Sequence, residues 1–241
     1  MRTSNPVFRS LENTQSYEAV EGAASYRGIS FKTLTLLLTA VASGFFFISY
    51  ASANNMIGFL IGSMIVAFIA VMIGVRSVNL AMPMGLIYAL AEGVLLGTIT
   101  ALVEIYAPGI AFTALIGTAT IFIVMLFLYS SRIIRVTSRL RKVIYGSLLA
   151  ALVMMIIFGI LSYATNIYAT VPVGLALGVT GLLIVLGAFM LTLDFERAEA
   201  IVSGGYDKRY EWMVAIGLMV TIVWIYIELI RFLLILASRN R

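Results

Sequence analysis

The sequence predicts an all-α integral membrane protein, a seven-transmembrane helix bundle with its last helix central. Three observations predict it. Apolar residues make up 62% of the 241 and charged residues only 11%, with a mean hydropathy of +1.07. A soluble domain sits near half apolar and a quarter charged. The apolar residues gather into seven runs of the length needed to cross a bilayer core, about 17 to 25 helical residues. The lysines and arginines, finally, fall in alternate connections between those runs.

Residues 1–32 are polar, mix both charges and show no helical period. They read as a flexible cytoplasmic tail ahead of a membrane domain over residues 33–241. Acidic residues precede the first apolar run, which is not the pattern of a signal peptide. The first span is Thr33 to Ala53, ended by Asn54-Asn55, and the second is Met56 to Val75, closed by Arg76. The third runs from Met84 to Tyr106 after Pro83, and the fourth from Gly109 to Tyr129 after Pro108. The fifth is Val143 to Tyr163, the sixth Val173 to Leu193, and the seventh Met213 to Ala237. Gly58/Gly62, Gly93/Gly97 and Gly174/Gly178 are small-residue pairs at helix spacing, expected as seams where backbones approach closely.

Positive charge orients these spans. The amino-terminal segment, the second, the fourth and the sixth connections together hold thirteen of the sixteen lysines and arginines. The first, third and fifth connections hold none. By the positive-inside rule the amino terminus is cytoplasmic and the carboxyl terminus lies outside, in a multi-pass protein of the inner or plasma membrane. The net charge of +5 is thus a matter of topology and implies no nucleic acid.

Several functions are excluded by what the chain lacks. Without a cysteine or a histidine it holds no disulfide, thiolate metal site, His-dependent triad or His-based pH switch. All three lysines lie outside the spans, so a retinal Schiff base in the last helix is excluded. Asp194 is the only aspartate near a span, and no glycine-rich loop is followed by Lys-Ser/Thr. Intramembrane aspartyl proteolysis and Walker-type ATPase chemistry fall with those two facts. The chain does not read as an enzyme with a tightly bound cofactor.

Charges at membrane depth are the candidates for function, because each costs at least about 2.5 kcal/mol on insertion scales. Glu228 and Arg231 interrupt the seventh span, and their spacing places them on one helix face. That face cannot look at lipid, which is why the other helices should close around it. Glu92 lies inside the third span, and Asp194 at the cytoplasmic end of the sixth. Arg76 and Glu104 lie near helix ends, where snorkelling explains them. Buried pairing of Arg231 with Glu228 or Glu92 is the structural reading of these residues; a polar path is the functional one. If Asp194 and Glu228 shared a desolvated site they would titrate as a unit. Ionised, they would offer hard oxygen ligands suited to Ca²⁺.

These residues resemble a known family. Tyr88 to Gly97, Ala114 to Phe122, Leu193-Asp194-Phe195 and Trp224 to Arg231 are similar to the Bax inhibitor-1 (TMBIM) family, in its bacterial Bax inhibitor-1-like branch. The resemblance covers the chain from about Thr33 onward. It implies a seven-helix bundle around the last helix and a pH-sensitive Ca²⁺ leak gated by two acids, which fall on Asp194 and Glu228. It also implies a latching arginine on the second helix, for which Arg76 is the stand-in, with Arg231 and Glu92 as supporting polar groups. Position 228 is commonly Asp in that family, and the interval between the acids, through Gly204-Gly205, is longer here. The resemblance thus supports a cation leak or exchanger exposed to membrane lipids, Ca²⁺ and protons. The alternative is a non-transporting regulator that binds a membrane protease or stress-response partner, with the basic stretch Arg132 to Lys142 as contact or as lipid-headgroup determinant.

Overall fold

A computed structural model of the chain describes residues 22–50, 56–165 and 172–239. Among them are seven helices: α1 (Tyr26–Tyr50), α2 (Met56–Gly74), α3 (Ala81–Tyr106), α4 (Ile110–Ser130), α5 (Ser138–Thr165), α6 (Val173–Ser203) and α7 (Tyr210–Arg239). Six are long and apolar enough to cross a membrane; α2, with 19 residues, is the shorter one. The protein is a multi-pass membrane protein whose described residues form helices and no named strand.

The helix ends follow from local chemistry. Pro83 stands in the first turn of α3, where its missing N–H leaves no intrahelical partner unbonded. Gly109 opens α4 at φ 84°, and its N–H donates to Glu104 Oε1 at 2.8 Å. Glu104, expected to snorkel, therefore also fastens the turn between α3 and α4. At the end of α6 the N–H of Tyr206 reaches Ile201 and that of Gly205 reaches Val202, with Gly205 at φ 64°. That is a Schellman closure, for which glycine is the favoured residue.

Three expectations change. First, α1 starts at Tyr26 rather than Thr33; residues 1–21 of the expected tail, and Ala51 to Ala53 of the expected first span, lie outside the described residues. Second, α6 continues from Leu193 to Ser203. Hydropathy ends at the first charges, whereas a helix ends only where backbone bonding stops, and Glu196 to Ala200 are good helix formers. The long interval between the two acids is therefore helix, and the connection to α7 is short. Third, of the three glycine pairs only Gly93/Gly97 is a seam. A β-carbon at Gly97 would stand 2.7 Å from the Gly44 Cα, and one at Gly93 would strike the Ala40 backbone, whereas Gly58, Gly62, Gly174 and Gly178 face open space. No helix of the described chain opposes those four.

The core is α7. It packs against every other helix except α5. On one flank Ala215, Ile216, Met219 and Val223 meet Leu36 and Ala40 of α1, Ala67 and Ala70 of α2, and Tyr88 and Ala89 of α3. On the other, Val214, Leu218 and Ile225 meet Met125 of α4 and Leu191 and Phe195 of α6. Among the described residues the α5 helix lies at the rim and runs beside α6, with Ile144 in a small cluster that also takes in Leu186 and Leu193 of α6 and Trp224 of α7.

All four basic segments meet at one end of the bundle. Ala23 pairs with Asp207 in an isolated antiparallel bridge. Arg209 donates to Asn79 Oδ1 at 2.8 Å, so the α2–α3 and α6–α7 turns are neighbours. Arg132 of the α4–α5 connection and Arg141 in the first turn of α5 pair with Glu199 and Glu196 of α6. Glu211, buried at the start of α7, accepts the Ser25 N–H at 2.7 Å and pairs with Lys32 at 2.7 Å. Gly28 leaves room for that carboxylate, since a β-carbon there would overlap it.

Candidate functional site

Along α6, residues Gly187, Leu191, Asp194 and Ala198 are buried and recur at the spacing of one helix face. Asp194 is thus carried into the seam with α7 at 2% exposure. A carboxylate removed from water this far needs hydrogen bonds, and it has two donors. Thr221 Oγ1 of α7 donates to Oδ2 at 2.6 Å, and Arg197 Nη1, one turn on, approaches Oδ1 at 3.5 Å. Gly217 of α7 faces the carboxylate; a β-carbon there would stand 3.5 Å from Oδ1, an ordinary contact distance. The Arg197 guanidinium is mostly exposed, and its other nitrogen donates to the Tyr145 hydroxyl of α5 at 3.2 Å.

Glu228 is 5% exposed and pairs with Arg231, which donates to its two oxygens at 3.1 and 3.4 Å. Arg231 reaches outward, with 55% of its side chain exposed. This is the pair expected from the spacing, with only its anion buried.

The structure does not bring the two acids into one cluster. Thr221, which holds Asp194, and Glu228 are seven residues apart on α7, nearly two whole turns. They therefore share a face but are separated by about 10 Å of helix axis. Each acid has its own cation. Among the described residues no three acidic side chains gather at a point. Two carboxylates and a hydroxyl strung along a seam fall short of the six to eight oxygens of a resident Ca²⁺ site.

The other candidates divide. Glu92 is half-buried on α3 beside the Gly93 seam and one turn from Tyr88, and makes no hydrogen bond or ion pair among the described residues. Arg76 is exposed beyond the end of α2, and α2 does not touch α6. The cation beside Asp194 is Arg197 instead. Sequence reasoning counted Arg197 as a loop charge because hydropathy had ended the helix at Leu193; its i,i+3 spacing from Asp194 was the available signal. It passed over Thr221, a residue of middling hydropathy, although Thr221 lies a heptad before Glu228.

The sequence matches the family described as Bax inhibitor 1 like over residues 5–238. Among curated proteins none matches.

Proposed function

The chain belongs to the Bax inhibitor 1 like family, and from that premise we propose that it is a pH-sensitive cation leak or exchanger, with Ca²⁺ as the favoured ion. In this reading it crosses the bacterial inner membrane seven times, amino terminus inside and carboxyl terminus outside. The observation that carries the reading is a pair of buried carboxylates, Asp194 of α6 held against Thr221 of the central helix and Glu228 on that helix itself, at 2% and 5% exposure. A buried charge at membrane depth is costly and marks ion and proton pathways.

The route follows the α6–α7 seam. An ion entering from the basic end meets Asp194 first, once Arg197 has swung back toward Tyr145. It reaches Glu228 two turns further, once Arg231 has moved toward solvent. Protons and Ca²⁺ compete for the same oxygens, and this competition makes the flux depend on pH. The shut state is the one with the acids protonated or held by their arginines. Ca²⁺ flux into dye-loaded liposomes tests this across pH. Asp194→Asn with Glu228→Gln should lower the rate by about tenfold or more, the equivalent of at least 1.4 kcal/mol, and flatten its pH profile. Unchanged rate and unchanged profile in that double variant would end the carboxylate mechanism.

One observation favours the second reading, a non-transporting regulator that binds a membrane protease or stress-response partner. Each acid already has a partner of its own, which suffices to specify helix packing. That reading expects no flux from the purified protein and a partner that copurifies through the basic turns.

A further inference from the structure

Five cations lie between the end of α4 and the first turns of α5: Arg132 and Arg135 in the connection, and Arg139, Arg141 and Lys142 in α5. Two are answered inside the protein, Arg132 by Glu199 at 2.5 Å and Arg141 by Glu196 at 2.7 Å. Arg135, Arg139 and Lys142 are exposed and meet no carboxylate among the described residues. Arg139 stands in the first turn of α5, which has no acidic residue, and Lys142 follows directly. A helix amino terminus is the positive end of its dipole, where added cations are destabilising. Charges set against one another in this way call for an anion from outside the chain.

The helix that follows indicates which anion. Beyond Lys142, α5 turns Val143, Leu149, Met155 and Ile160 outward, and among the described residues the helix that runs beside it is α6. Its outward apolar surface therefore begins within a turn of Arg139 and Lys142. A soluble phosphate would satisfy the charge alone. A phosphate that brings its own acyl chains satisfies both the cations and the apolar helix below them. We infer that Arg135, Arg139 and Lys142 form a headgroup site for anionic phospholipid, with the acyl chains lying along α5. The site does not depend on whether the protein conducts ions, since none of its residues contacts Asp194 or Glu228.

The full chain, purified in detergent, is titrated with short-chain phosphatidylglycerol and with phosphatidylcholine, and bound lipid is read by native mass spectrometry. A basic residue at an anionic lipid surface strengthens binding by about fivefold. Arg139→Gln should therefore weaken phosphatidylglycerol by about fivefold, and R135Q/R139Q/K142Q by on the order of a hundredfold. Arg209→Gln, whose guanidinium is occupied by Asp207 and Asn79, should leave it unchanged. Phosphatidylcholine should bind weakly to all forms, and excess inorganic phosphate should not displace the anionic lipid. Wild-type retention in the triple variant, or equal binding of both lipids, overturns the inference. Displacement by inorganic phosphate overturns it in favour of a free anion. If the triple variant does not fold, the single Arg139→Gln decides, because that side chain touches no charged group.

Discussion

Arg132 has φ at 57°, the only described non-glycine residue with a positive φ. It closes α4 with the bonding that Gly205 uses to close α6: Ile133 N–H to Leu128, Arg132 N–H to Tyr129. An L-residue in this conformation costs roughly 1–2 kcal/mol. What holds an arginine there is Glu199, which also accepts a short hydrogen bond from Tyr129. The Arg132 side of the pair is exposed and Glu199 half-buried, so the pair offsets only part of that cost. Arg132→Gly should consequently change stability little, while Arg132→Ala, which keeps the strain and loses the pair, should lower it. Thermal unfolding in detergent decides, and a glycine variant weaker than the alanine one would show the strain to be absent. At the seam, Thr221→Val strips a donor from the buried Asp194 and should cost about 1–3 kcal/mol, whereas Thr221→Ser should stay near wild type. Equal stability of the two variants would mean the bond is not made. Asp207 provides the pH-dependent case outside the membrane. The Arg209 backbone N–H and guanidinium hold its carboxyl below the usual carboxylate range. A depressed pKa gives stability that is complete above the unfolded value near 4 and lost as pH falls through the lower folded value. Asp207→Ala should accelerate amide exchange at Lys208 to Tyr210 at neutral pH, and the difference from wild type should vanish in acid once the carboxylate is protonated. A difference that persisted in acid would exclude the carboxylate as its source.

Helices carry information that hydropathy reads only in part. The existence of all seven was legible, since an apolar run of bilayer length has few other uses. Their ends on the basic side were not, because the same charges that end a hydropathy window pair with neighbours and continue the helix. Asp194 shows the consequence: expected at a helix end, it lies within α6 with Glu196, Arg197 and Glu199 still helical beyond it. Glycine spacing was similarly ambiguous. It records that a close approach is possible, and whether a helix takes it up depends on tertiary neighbours. The α1–α3 crossing takes it up, with Ser43 Oγ also donating to the Leu90 carbonyl at 2.7 Å. A methyl at Gly93 or Gly97 would meet backbone rather than a movable side chain, so Gly93→Ala and Gly97→Ala should each cost about 1–3 kcal/mol as overpacking. Gly58→Ala, open on all sides, should be neutral or stabilising by up to about 1 kcal/mol, the helix-propensity difference. Unfolding midpoints of the three variants give the comparison, and a destabilised Gly58→Ala would reveal an unseen partner for α2.

At the scale of the molecule, the charge pattern and the fold converge from independent directions. Alternate connections carry the lysines and arginines, and those same segments touch one another at one end of the bundle, through Ala23 with Asp207, Asn79 with Arg209, and Arg132 and Arg141 with α6. The centrality of α7 was legible from Glu228, although Arg231, expected on the same enclosed face, reaches outward; the identity of its flanking helices was not legible, because apolar faces do not name their partners. The convergence turns orientation into a labelling experiment, made simple by the absence of native cysteine. Single cysteines at Asn79 and Ser138 belong to the basic end, and those at Asn54 and Pro108 to the connections without charge. A membrane-impermeant maleimide added to intact cells should label positions 54 and 108 and spare 79 and 138, which react only after permeabilisation. The reverse pattern would invert the molecule. Labelling of 54 and 79 from the same side would remove α2 as a crossing: its 19 residues span about 28 Å against a core of about 30 Å. In that event the amino terminus would move to the opposite face, and the bridge between Ala23 and Asp207 could not form. The observed bridge therefore ties the expected labelling at 79 to a full return of α2 through the membrane.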